Sequence, residues 1–232
     1  MSAAATKMVE LYPRTLAMLQ LQDKVESLVS TFRRMDKDGD DVVTLFELLD
    51  LCDMERTPFM ERVFTVADQD ATRTLDFREF VFVVWHFATL DRGQLVGFLF
   101  DLYDRDQSGA VDKSELQAAI KDCFGKRSVS GPAKKILDKL DGEPSGVMRR
   151  KHFIQVFNSL SGALHPAVQA QQKLQQAILG KGFWERAAKQ RASSAGKNMP
   201  PPSFRALFVD LMSNDLTVRG RKAKAKRVAP AP

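Results

Sequence analysis

The sequence predicts an all-α chain, with four helix–loop–helix units paired into two lobes by short β contacts between loops. C-terminal helices and a basic tail follow. Three observations predict this. First, DKDGDDVVTLFE from Asp36, DQDATRTLDFRE from Asp68 and DRDQSGAVDKSE from Asp104 share one order of oxygen-bearing residues. Each has Asp at positions one and three, an oxygen side chain at five and nine, and Glu at twelve. Second, DGEPSGVMRRKH from Asp141 continues the series, with starts 32, 36 and 37 residues apart. Third, apolar residues recur at helical intervals on both sides of these stretches.

The helix entering the first loop is written by Leu21, Val25, Leu28, Val29 and Phe32, one stripe on a 3.6-residue repeat. Thr57 followed by Pro58 reads as a cap and first turn for the helix entering the second loop. Leu95, Phe98, Leu99 and Leu102 form the stripe entering the third. Gly131 and Pro132 start the helix entering the fourth, with Ile136, Leu137 and Leu140 on its apolar side. The exit helices begin at Thr44, Asp76 and Asp112, each a good N-cap with Glu three residues later. That spacing is a capping box, but the Glu is assigned to a metal instead. Position eight is apolar in every copy, at Val43, Leu75, Val111 and Met148. Val43 is expected to face Leu75, and Val111 to face Met148. This divides the chain into a first pair at 14–90 (loops 36–47 and 68–79) and a second at 91–162 (loops 104–115 and 141–152).

The loop spacing suits a hard cation. Calcium takes about 6–8 oxygens at roughly 2.3–2.6 Å, and a twelve-residue loop wraps it with ligands from alternate positions. Position seven supplies a backbone carbonyl, position nine often acts through water, and the final Glu offers both oxygens. The first loop offers Asp36, Asp38, Asp40, the Val42 carbonyl, Thr44 and Glu47. The second offers Asp68, Asp70, Thr72, the Thr74 carbonyl, Asp76 and Glu79. The third offers Asp104, Asp106, Ser108, the Ala110 carbonyl, Asp112 and Glu115. Position six must turn with positive φ, which Gly109 does freely and Asp41 tolerates. Arg73 at that position adds strain of about 1–2 kcal/mol and a positive charge. The third loop is therefore expected to bind best, the first comparably and the second weakest, giving two or three calcium ions. The fourth loop is expected to bind none: His152 replaces the final Glu, Arg149 stands at position nine and Pro144 stiffens the middle.

With these motifs in place, residues 20–160 resemble the EF-hand superfamily of calcium sensors. The short first interval is more similar to calcineurin B, calcineurin B-like proteins and neuronal calcium sensors than to calmodulin. The resemblance implies a calcium-responsive regulator without catalysis of its own, and a metal-ligand role for the loop residues named above. Asp41, Arg73 and the whole fourth loop depart from the family pattern. So does Ser2, where membrane-targeted relatives carry a myristoylation glycine.

Composition bounds the remaining classes. The 232 residues are 44% hydrophobic with 16 Phe, enough for a large core. No apolar run reaches signal-peptide or membrane-spanning length. Cys52 and Cys123 give no disulfide framework and read as free thiols, with a redox pair between the lobes as the unsupported alternative. Net charge is +6, but residues 181–232 hold 12 Lys/Arg against 3 Asp/Glu, leaving the first 180 residues mildly acidic. Histidine occurs only at His86, His152 and His165, and no nucleophile motif, phosphate loop or zinc-protease motif is present, so an enzyme is not expected.

Residues 163–192 read as a helical extension through Val168, Leu174, Ile178 and Leu179, interrupted at Gly180 and Gly182, with core packing as its role. Residues 193–232 comprise a linker, a short amphipathic helix and the basic tail. After Pro200–Pro202, Ser203 caps a helix with Phe204, Leu207, Phe208, Leu211 and Met212 on one face. That face is a candidate partner-binding segment, competing for the groove that calcium opens in sensors of this kind; ordinary core packing is the alternative. The final RGRKAKAKRVAPAP reads by default as a disordered, solvated tail, and its functional options are an acidic partner surface, anionic lipid, nucleic acid or nuclear import. Nothing resembles a nucleic-acid fold. The leading expectation is a cytoplasmic calcium sensor that binds a partner helix, with nuclear or cytoskeletal association through the tail as an option. The rival is a structural component of a larger assembly with static or weak calcium binding.

Overall fold

The computed structural model describes residues 2–124, 134, 137–138, 145–159 and 162–194. Two short helices, α1 (Ala3–Leu11) and α2 (Pro13–Met18), open the chain. The first loop lies between α3 (Val25–Met35) and α4 (Leu45–Leu51). The second lies between α5 (Pro58–Ala67) and α6 (Phe77–Ala88), and the third between α7 (Arg92–Tyr103) and α8 (Lys113–Phe124). The fourth leads into α9 (Arg150–Asn158). The C-terminal extension is α10 (His165–Ala177) and α11 (Lys181–Ser194).

Each loop contributes a two-residue strand: β1 (Val43–Thr44), β2 (Thr74–Leu75), β3 (Ala110–Val111) and β4 (Met148–Arg149). The strands pair antiparallel within each half, placing Val43 opposite Leu75 and Val111 opposite Met148, as the apolar eighth positions predict. All four side chains are fully buried. A loop that keeps this residue and loses its ligands can therefore still serve its neighbour, and the fourth loop does so through Met148.

The predicted stripes face inward. Leu21, Val25, Leu28, Val29 and Phe32 are buried, as are Leu95, Phe98, Leu99 and Leu102. Thr57 caps α5 by accepting the Met60 N–H at 3.2 Å, with Pro58 in the first turn. Buried apolar residues form one cluster from Ala5 to Trp184, so the two halves share a core. Its centre is aromatic: Phe87 packs against Phe59 and Phe98, and Phe32 against Phe77 and Phe80. Polar groups also join the halves, with Arg62 on α5 donating to Asp122 on α8 at 2.8 Å and Tyr103 donating to the same carboxylate at 3.0 Å.

The sequence pattern gives no expectation of α1 and α2. Ser2 caps α1 by accepting the Ala5 N–H, while Ala5, Thr15 and Leu16 are buried. Few large apolar residues on α1 mark this burial in advance. The extension breaks at Leu179 (φ 61°) and Gly180 (φ 79°), so Ile178 and Leu179, expected on the helix, lie past the end of α10, and Gly182, expected at the interruption, lies within α11. The expected starts Gly131 and Pro132, and the segment Phe204, Leu207, Phe208 and Leu211, lie outside the described residues.

Candidate metal centres

Each loop folds around its first aspartate. Asp36 accepts the N–H groups of Gly39 (2.8 Å), Asp40 (3.1 Å) and Asp41 (3.0 Å). Asp68 accepts those of Thr72 (3.0 Å) and Arg73 (2.8 Å), and Asp104 those of Ser108 (2.9 Å) and Gly109 (3.1 Å). These bonds satisfy backbone donors inside the turn and fix the carboxylate facing inward. At position five, Thr72 and Ser108 donate to the carbonyls at position seven, Thr74 (3.3 Å) and Ala110 (2.8 Å). In the first loop Asp40 instead accepts the Val42 N–H at 3.1 Å.

The ninth positions cap the exit helices. Thr44 accepts the Glu47 N–H at 3.3 Å, Asp76 the Glu79 N–H at 2.8 Å and Asp112 the Glu115 N–H at 2.9 Å. The spacing alone assigned the twelfth Glu to the ion instead of the capping box. In the structure the box is also closed, with the carboxylates of Glu47, Glu79 and Glu115 accepting the N–H of Thr44 (2.8 Å), Asp76 (3.1 Å) and Asp112 (3.1 Å). A carboxylate has two oxygens and about four acceptor sites, so closing a box does not exclude other work. The second oxygen reaches back to the N–H at position two.

Carboxylate oxygens converge in three places. Asp36, Asp38 and Asp40 place oxygens within 4.8 Å of one another; so do Asp68, Asp70 and Glu79, and Asp104, Asp106 and Glu115. Glu47 is not in the first of these groups. Glu79, Asp104 and Glu115 are buried. Burial pushes the Glu79 carboxyl up to about 7, helped by the charges of Asp76 and Asp70. Burial also raises Asp68, with Asp70 adding to it. Burial works upward on Glu47 as well, but N–H bonds from Thr44 and Lys37 outweigh it and hold that carboxyl below its usual range. Buried and mutually repelling carboxylates are the donor set that a hard divalent cation stabilises, and the residues present fit calcium.

A family model described as EF hand matches residues 95–121, which contain most of α7, the third loop and most of α8. Calcineurin B type 2 from Bos taurus is 27% identical over 154 residues, covering 64% of this chain and 91% of that protein. The Homo sapiens protein of the same name is 26% identical over 154 residues, with the same coverage. Calcium-dependent protein kinase 34 of Arabidopsis thaliana is 28% identical over 145 residues, which are 61% of this chain and 27% of the kinase. Residues 95–121 thus match an EF hand, and the chain is similar to calcineurin B over 154 residues. These relatives support a calcium-binding regulatory role.

Within this chain the backbone distinguishes the loops. Position six has positive φ throughout: Asp41 at 66°, Arg73 at 66°, Gly109 at 81° and Gly146 at 66°. Position four does too, at Gly39 (74°), Ala71 (57°) and Gln107 (59°). Position six alone entered the sequence-based ranking, and position four was missed. The first loop carries glycine at four and the third at six, whereas the second has glycine at neither. The second loop therefore holds two side-chain-bearing residues, Ala71 and Arg73, in the left-handed region. The signal was present in the sequence as the fourth residue of each loop.

In the fourth loop, Gly146 and Met148 keep the turn and the pairing, while His152 lies within α9. Asp141 and Glu143 lie outside the described residues. Arg150 on α9 donates to Asp101 near the end of α7, a link across the second pair. Among the described residues, no helix is long and apolar enough to cross a membrane.

Proposed function

We propose that this chain is a calcium sensor whose ion-driven helix movement exposes an apolar face to an amphipathic helix of a partner protein. The observation that carries the reading is the threefold convergence of carboxylate oxygens within 4.8 Å at the EF-hand spacing. In the third loop Asp104, Asp106, Ser108, the Ala110 carbonyl, Asp112 and Glu115 hold the ion. Asp36, Asp38, Asp40, the Val42 carbonyl, Thr44 and Glu47 do so in the first, and Asp68, Asp70, Thr72, the Thr74 carbonyl, Asp76 and Glu79 in the second. The third binds best and the second weakest, while the fourth holds no ion. A bound calcium ion supplies charge that draws these oxygens together. The chain's own residues then transmit the change, because the twelfth Glu sits in the first turn of each exit helix.

The functional units on this reading are 14–90 and 91–162, with 163–192 packed against them. The reading places the protein in the cytoplasm, acting without catalysis of its own, with the basic tail against an acidic partner surface. The relatives named as components of calcineurin favour one second reading, a structural member of an assembly with static calcium. Calorimetric titration with calcium, followed by dye binding with calcium and with chelator, separates the two. The sensor reading expects two or three sites with Kd on the order of 10⁻⁷–10⁻⁵ M and increased dye binding. Binding without any change in exposed apolar surface supports the structural role, and no heat at millimolar calcium refutes both.

A further inference from the structure

An α-helix ends with four carbonyls that have no partner in the helix, and water or side chains must meet them. At the end of α6 the carbonyls of His86, Phe87 and Ala88 are met from the C-terminal extension. Gln171 donates to the Phe87 carbonyl at 2.7 Å and to the Leu90 carbonyl at 2.9 Å. Gln175 donates to the Ala88 carbonyl at 2.7 Å. Arg191 donates to the His86 carbonyl at 3.2 Å and to the Thr89 hydroxyl at 2.7 Å, and its guanidinium lies 4.6 Å from the centre of the Trp85 ring. Helix α10 packs against α5 and α6, burying Ala167, Ala170 and Leu174, and Trp184 of α11 is fully buried.

We propose that α10 and α11 form an intramolecular clasp on the first EF-hand pair, released when the second loop captures its ion. The ion half of this proposal rests on the calcium reading above. The clasp half rests on its contacts. Its polar grip is made of amide and guanidinium bonds to the carbonyls of His86, Phe87, Ala88 and Leu90 and to the Thr89 hydroxyl, which water can replace, so departure of the extension leaves none of these polar groups unpaired. Both events meet on one helix: Glu79 stands in the first turn of α6, and Gln171, Gln175 and Arg191 hold its last turn. A twelve-residue helix is a rod about 18 Å long, so tilting its start displaces its end. The coupling is reciprocal, because whatever loosens the clasp must favour the ion by the same factor.

The test uses the full chain carrying Gln171→Ala with Arg191→Ala. Hydrogen exchange over 165–194 is expected to rise at least tenfold in chelator, while α8 keeps its protection. Titration with calcium chloride is expected to show the second site tightened several-fold and the third unchanged. Unchanged exchange overturns the clasp, and an unchanged or weakened second site overturns the coupling. If the natural chain gives no calcium heat, the calcium reading and the coupling fail together, and the exchange measurement still decides the clasp. Should the double variant not fold, Arg191→Lys removes the fork to His86 and Thr89 while keeping the charge, and the same two readings apply.

Discussion

Glu115 accepts the backbone N–H of Arg105, ten residues earlier, at 2.9 Å. The same bond recurs between Glu47 and Lys37 at 3.0 Å and between Glu79 and Gln69 at 3.1 Å. Each twelfth Glu thus ties the second residue of its loop to the first turn of the exit helix. The carboxylate that would close an ion's shell is already held over the loop by the fold.

Glu115→Gln keeps an acceptor for Arg105 but removes the negative charge. Calorimetry is expected to lose the tightest calcium step. Stability without calcium should fall by only about 1 kcal/mol, the difference between a charged and a neutral acceptor. An unchanged titration would refute the third-loop assignment.

Arg73→Gly separates strain from charge in the second loop. Its φ of 66° is costly for a side-chain-bearing residue and free for glycine. Denaturant unfolding without calcium should show a gain of up to about 1 kcal/mol. The affinity of the second site should also rise, because the nearby positive charge is gone. Arg73→Asn should reproduce most of the affinity gain with a smaller gain in stability.

Met148→Ala tests the fourth loop as a structural partner. Met148 is fully buried opposite Val111. Its truncation should cost about 2–5 kcal/mol, read from the unfolding midpoint. A cost under about 0.5 kcal/mol would mean that the fourth loop does not support the third.

Burial holds the His86 imidazole well below its usual range, and the Arg191 guanidinium beside it acts in the same direction. The folded protein therefore resists the proton that the unfolded chain accepts near pH ~6.5. This contribution to stability is complete above that pH and is lost as pH falls toward the depressed folded value. The expected slope is about 1.4 kcal/mol per pH unit. His86→Gln should flatten the unfolding midpoint between about pH 6.5 and 5.

Burial pushes the thiols of Cys52 and Cys123 up to about 12. The folded state thus retains protons that the unfolded chain releases near pH ~8.5. Their contribution to stability is intact below that pH and is lost as pH rises toward the folded value. At about pH 8 the native thiols should react with iodoacetamide about three orders of magnitude more slowly than in denaturant. Equal rates would contradict the burial.

The loops, exit-helix caps and eighth-position pairing were legible because each depends on residue type at fixed positions within a twelve-residue loop. Asp104 and Gly109, or Asp76 and Glu79, meet through local chain geometry, and local geometry follows from residue type and spacing. The shared strain at Ala71 and Arg73 was legible too, had position four been read beside position six.

By itself, then, the sequence determined the repeat, the donor set and the inward faces of the helices, since periodicity and ligand spacing are properties of neighbouring residues. The tertiary structure decided where α1, α10 and α11 lie. Gln171 is far from Phe87 along the chain, and its ordinary polar side chain gives no sign that it will meet a helix-end carbonyl. Only packing of the two halves into one core brings that donor to that acceptor.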